Sequence, residues 1–288
     1  MKFNSRPTEQ EIQIFNDFYS QGKTVFQVAN ILGRNPKTIR KYLHNMRTSG
    51  ESKRIYSINE RFFDQINTEE KAYILGLLFA DGYNDETHNR VNLTLMAKDK
   101  EILVKISKLL FQNERPLTKS FPLSNHTKIA YNLRINNKHI SQILAKYGCV
   151  QKKSTILRFP SQKYLSPKCW RHFLRGYIDG DGSVNFYIRN GKMHGIRLTI
   201  ISSKYFIKSL QRIFYQLFQT KGNNYACGRA RTLSFGKYKE ASKIIFWLYE
   251  GATIYLDRKF RNYEQIFKVM KNQLNNNLSV RKFNMFMS

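Results

Sequence analysis

Two aspartates, Asp81 and Asp181, each followed by glycine and standing 100 residues apart, have the type and spacing to do chemistry. Each closes a largely apolar, helix-like stretch, KAYILGLLFADGY in one case and CWRHFLRGYIDGDGS in the other. A carboxylate at a helix C-terminus faces the negative pole of the helix dipole. Two such ends brought together set two carboxylates and two groups of unpaired carbonyls against each other. A divalent cation between them makes that arrangement favourable. Mg²⁺ takes one or two carboxylates and carbonyl oxygens, with water and phosphate completing its octahedron. Such a site suits in-line phosphodiester cleavage. Asp-Gly by itself is common turn chemistry, and either segment alone reads as the end of a core helix. Repetition of the same local conflict in matching places is what points to function. A calcium-loop reading of DGDGS fails, because Val184 stands where glycine is required and Asn190 where an acid is required.

These aspartates need a scaffold that brings two helix ends together. Small residues four apart, Gly76 with Ala80 and Gly176 with Gly180, put a flat stripe on each helix. Two such helices can approach backbone to backbone, a geometry better known from membranes. Thr68 and Ser166 are candidate N-caps, and Pro167 suits a first helical position. After each signature segment the chain runs strand, strand, helix, strand, strand, helix. RVNLTL, AYNLRI, SVNFYIR and GIRLTII supply the alternating stretches. The fold expected is α+β: two pseudo-symmetric αββαββα repeats, at residues 58–157 and 158–288 with the C-terminal tail, facing each other across a pseudo-twofold. A small all-α domain at residues 1–46 and a basic linker at 47–57 precede them.

In that small domain three short helices are expected. The first spans about Glu9 to Tyr19. The second opens at Thr24 in a capping-box pattern and stops at Gly33, and the third opens at Asn35-Pro36. Ile39, Tyr42 and Leu43 face inward on the third; Lys37, Thr38, Arg40 and Lys41 lie on its outer face. The pattern resembles a helix-turn-helix, whose last helix would enter the major groove.

Composition agrees with a polyanion partner. There are 49 Lys and Arg against 20 Asp and Glu, a net charge of +29. Each neutralised phosphate of a nucleic acid releases a condensed counterion, although ribosomal proteins and membrane-surface binders share the trait. Hydrophobic content of 41% is enough for a core. No apolar run reaches membrane-spanning length. Three scattered cysteines suggest reduced thiols in an intracellular setting rather than a disulfide framework. The opening MKFNSRPTEQEIQ shows no export or transit signal. The six histidines, at 44, 88, 126, 139, 172 and 194, have no metal-ligand spacing, and no nucleotide-binding fingerprint is present, so no nucleotide cofactor is expected.

ILGLLFADG at 74–82 and LRGYIDGDG at 174–182 resemble the paired signature motifs of LAGLIDADG homing endonucleases, over roughly residues 58–270. The resemblance implies a DNA-binding saddle of two antiparallel sheets with the signature helices at its centre. It implies a monomeric, site-specific endonuclease that cuts both strands of duplex DNA. Mg²⁺ or Mn²⁺ would be the working ion, with Ca²⁺ a non-catalytic substitute. It assigns metal binding to Asp81 and Asp181, with the backbone carbonyls of Ala80 and Gly180 as further ligands. It also implies one lysine per half near the centre: Lys153 beside Lys152 in KKSTILRFP, and Lys259 in YLDRKF. The first motif departs from the family pattern at Phe79, where position 179 keeps aspartate.

The polar faces of the alternating strands are then the candidate DNA readers: Arg90, Asn92, Thr94, Asn132 and Arg134 in the first repeat, and Asn185, Tyr187, Arg189, Arg197 and Thr199 in the second. Arginine suits guanine and asparagine suits adenine in the major groove. An intron-RNA maturase and a DNA-binding regulator are the alternatives on the same scaffold. No membrane partner is expected. The setting would be the cytoplasm of a bacterium or phage-infected cell, or an organelle matrix.

Overall fold

A computed structural model of the chain describes residues 6–21, 23–47, 56–112, 115–121 and 128–275. Most of the expected linker, His126 and the tail beyond residue 275 lie outside these. The chain divides into two compact units, Met1–Ile55 and Tyr56–Ser288.

In the first unit α1 (Glu9–Ser20), α2 (Val25–Leu32) and α3 (Pro36–Arg47) follow the expected order. Thr8 and Thr24 each close a capping box, with Glu11 and Gln27 returning the hydrogen bond. Gly33 ends α2 at φ 59°, left-handed backbone that glycine adopts without a Cβ penalty. Phe15, Val28, Ala29, Ile39 and Leu43 form its core. Buried Arg34 meets Glu11 at 2.5 Å, tying the turn after α2 to α1.

The second unit holds the two repeats. The first comprises α4 (Glu69–Asp81), β1 (Gly82–Asp85), β2 (Arg90–Met96), α5 (Lys100–Leu110), β3 (Thr118–Ser120), β4 (Ala130–Asn136) and α6 (Lys138–Tyr147). The second comprises α7 (Pro167–Asp181), β5 (Gly182–Arg189), β6 (Lys192–Ser202), α8 (Lys204–Phe218), β7 (Asn223–Cys227), β8 (Ala230–Phe235) and α9 (Tyr238–Tyr249). A further helix, α10 (Asp257–Asn275), follows. Each repeat forms one antiparallel sheet, in the orders β1-β2-β4-β3 and β5-β6-β8-β7. The fold is therefore α+β with two αββαββα repeats.

Alternation sets the layers. Val91, Leu93, Leu95, Leu133 and Ile135 face a common core with Leu198, Ile200, Leu233 and Phe235 of the other repeat. The short edge strands β3 and β7 have too little apolar alternation to stand out in sequence; β7 is exposed along its whole length. One expected cap is corrected: Thr68 accepts from the Lys71 N–H, but the Ser166 side chain makes no capping bond. There Pro167 presets the first turn alone. Among the described residues no helix is long and apolar enough to cross a membrane.

Candidate active site

The site is built where α4 and α7 pack against each other. A Cβ on Gly76 would collide with the carbonyl oxygen of Phe173, and a Cβ on Gly176 with that of Tyr73. This reciprocity is what a pseudo-twofold demands. Nearer the helix ends, a Cβ on Gly180 would stand 2.5 Å from the Ala80 Cβ and 2.6 Å from Asp81 Oδ2. The small-residue stripes therefore run into the aspartates, and the end of α7 lies against the Asp81 carboxylate.

The electrostatics register that crowding. Desolvation, and then the charge of Asp181, push Asp81 up to about 6, against the pull of Lys153 and Arg258. Asp181 is also raised, chiefly by desolvation, while the Tyr177 hydroxyl, Lys153 and Lys259 oppose the shift. Both residues nevertheless keep an exposed edge, so a large anion such as phosphate has access.

Lys153 and Lys259 take matching places. Lys153 Nζ donates to the carbonyl of Gly82, and Lys259 Nζ to that of Gly182. Each lysine thus closes the helix end of its own repeat, one residue past the aspartate. Lys259 is buried, and desolvation with Arg258 beside it lowers its pKa to about 8. Lys152, the alternative to Lys153, is exposed on left-handed backbone at φ 52°.

The expected sheet residues fall on shared faces. Asn92 pairs in register with Arg134, and Thr94 with Asn132. Asn132 Nδ2 and Arg134 Nε both donate to Asn92 Oδ1, at 3.2 Å each, while Arg90 is half-buried beside Asn136. In the second sheet Asn185 pairs with Arg197, and Tyr187 with Gly195 just before a register shift. Thr199 is half-buried opposite Ser183, and Arg189 is exposed near the hairpin turn. In the small unit Lys37, Arg40 and Lys41 are exposed and Thr38 is half-buried.

Sequence reasoning missed the polar frame around the centre. Arg175, fully buried inside the second motif, gives Nε to Ile254 O and Nη1 to Leu248 O, and Nη2 meets Glu69 Oε1 at 2.6 Å. Glu69 also accepts from the N–H of Thr253 at 2.8 Å. Arg258 Nε contacts both oxygens of Asp99, at 3.0 and 3.1 Å, joining the repeats. A lone arginine within a motif otherwise read for its small and acidic positions was the available signal; Glu69 and Asp99 carried none.

Comparison with protein-family models finds a match to the LAGLIDADG-like domain over residues 169–232. That segment is LAGLIDADG-like. It covers α7 through the start of β8, and so includes the second motif, Gly180 and Asp181. Similar solved structures include meganuclease I-SmaMI bound to uncleavable DNA, at 13% identity and a TM-score of 0.48, covering 75% of this chain and 95% of that one. The LAGLIDADG homing endonuclease I-GzeII in complex with its DNA target gives 14% identity and 0.48, over 80% and 96%. I-LtrWI bound to target DNA gives 16% and 0.46, over 80% and 96%. A comparison with curated proteins finds no match.

The donor set fits a hard divalent cation. The Asp81 carboxylate, its pKa raised in part by the charge of Asp181 and lying against the end of α7, is the kind of oxygen donor such an ion takes. Among the described residues no three His, Cys, Asp or Glu side chains converge on one metal position. Backbone carbonyls, water and phosphate would then complete the shell.

Proposed function

We propose that the protein is a LAGLIDADG homing endonuclease: a monomeric, site-specific enzyme that hydrolyses both strands of duplex DNA with a divalent cation. The observation that carries this reading is the convergence of Asp81 and Asp181, from two repeats, at one solvent-open spot. Asp81, Asp181 and the carbonyls of Ala80 and Gly180 would hold Mg²⁺ or Mn²⁺, with Ca²⁺ a non-catalytic substitute. Bound there, the ion would neutralise phosphate charge and make water a better nucleophile.

The chain's own groups do the rest. The signature helices bring their aspartates to one phosphodiester region. Lys153 and Lys259 add positive charge beside it, where it favours the charge developing on phosphate. Arg90, Asn92, Thr94, Asn132 and Arg134 on one sheet, and Asn185, Tyr187, Arg189, Arg197 and Thr199 on the other, face the duplex. There they combine phosphate contacts with base readout. Residues 1–46 read flanking sequence through Lys37, Thr38, Arg40 and Lys41, while residues 58–157 and 158–288 act as the two halves of the nuclease. The net charge of +29 favours this partner.

The test is cleavage selection on a randomised duplex library with Mg²⁺, with EDTA as control. Recovery of one consensus cut on both strands, lost in EDTA, is expected. Absence of any metal-dependent cut at binding concentrations refutes the reading.

A further inference from the structure

The two repeats hold their lysines by different means. In the second repeat the means is Asp179, two residues before the metal-binding candidate and fully buried. Its carboxylate accepts from Tyr73 Oη at 2.7 Å, from Tyr249 Oη at 2.5 Å and from the Leu256 N–H at 2.8 Å. The last bond is the telling one. Leu256 opens the first turn of α10, and its carbonyl accepts from the N–H of Lys259 at 2.9 Å. Lys259 Nζ in turn returns to Gly182, at the end of the helix that carries Asp179. Asp179, Leu256, Lys259 and Gly182 therefore form a closed loop of bonds between α7 and α10. In the first repeat Phe79 stands at the corresponding place and packs edge-on against Phe173, 5.2 Å between ring centroids. The segment leading to Lys153 is pinned instead by Asn84, whose amide donates to Ser141 O and Cys149 O at 2.9 Å each.

We infer that Asp179 is a positioning residue for Lys259 alone, so that losing it slows the cut on one DNA strand and spares the other. The inference rests on the endonuclease reading. Three donors converge on a carboxylate that touches no solvent, and one of them fixes the backbone from which Lys259 extends. Nothing in that loop of bonds includes Lys153. Strand bias is a readout that general destabilisation does not move, because both cuts are made by the same folded molecule.

The experiment uses the full chain, Mg²⁺ and the duplex recovered by selection with the wild-type protein, each strand carrying its own label. Lys259→Met and Lys153→Met mark which strand depends on which lysine. Asp179→Ala is expected to slow the Lys259-dependent cut by about tenfold or more while the other stays within about threefold, since small misplacements carry large rate costs. Asp179→Asn keeps an acceptor oxygen for the Leu256 N–H and is expected to stay within about threefold on both strands. If Asp179→Ala leaves no DNA-bound protein, Tyr249→Phe replaces it; a bias of about twofold or more toward the same strand is expected. Equal slowing of both strands, no bias, or a bias toward the Lys153-dependent strand overturns the inference. A wild-type protein that cuts no duplex refutes the endonuclease reading itself; a wild type that cuts, with variants that show no bias, refutes only the role of Asp179.

Discussion

Gly76→Ala puts one methyl group where α4 and α7 touch through their backbones. The new Cβ meets the Phe173 carbonyl, which has no rotamer to change, so the helices themselves must part. Overpacking of a tight core costs roughly 1–3 kcal/mol, and a backbone obstacle belongs at the upper end. Alanine returns about 1 kcal/mol through its better helix propensity. The net loss is about 2 kcal/mol, and for a unit of this size each kcal/mol lowers Tm by about 2–4 °C, giving a fall of about 4–8 °C. Parting the helices also moves the aspartates. Relief of the contact needs a shift on the order of 1 Å, and misplacement on that scale costs about a hundredfold in rate. Gly176→Ala meets the Tyr73 carbonyl in the same way and should behave alike. The double variant should fall short of the sum, because the first change already opens the contact. Thermal melting and single-turnover cleavage measure the two effects. A Tm within about 2 °C of wild type together with cleavage within about threefold would refute the claim that this contact positions the site.

Other consequences follow from the charges. Asp81 releases its proton near 3.8 when unfolded but near 6 when folded, so its charge opposes folding above about pH 4, with full effect above pH 6. Metal-free Asp81→Asn should therefore melt higher than wild type at pH 7.5, the gap closing by pH 4; an equal or lower melting point at pH 7.5 contradicts this. Lys259 has the opposite chemistry. With a folded pKa of about 8 against 10.5, the unfolded chain holds the extra proton between those values, and stability should rise with pH from 8 to 10. Lys259→Met should flatten that rise in denaturant titrations. Glu69→Ala takes the carboxylate from the fully buried Arg175 guanidinium, which keeps its two carbonyl acceptors, and should cost about 1–3 kcal/mol in chemical unfolding.

What the sequence displays depends on whether a residue's role is local or relational. Strand alternation in RVNLTL, the capping box at Thr24 and the Gly33 stop act within a few residues, and each is legible. The repeat adds a second source of information: Gly76 and Gly176 each name the other's partner surface, which is why the aspartates could be expected to meet. Lys153 and Lys259 lie far from any motif in sequence, and only family resemblance singled them out; their bonds to Gly82 and Gly182 arise from chain segments 71 and 77 residues away. The ion pairs Arg175–Glu69 and Arg258–Asp99 span 106 and 159 residues and have no counterpart in local pattern. Edge strands β3 and β7 fail for another reason: short, exposed segments do not need an apolar face.

The central claim is that one carboxylate from each repeat serves a shared cation site. Its most direct test is cleavage of the selected duplex with Mg²⁺ by Asp81→Asn and Asp181→Asn, alongside DNA binding in Ca²⁺. Loss of double-strand cutting by at least about a thousandfold in each variant, with binding affinity within about tenfold of wild type, is the predicted result. Sustained cutting of both strands by either variant would contradict it.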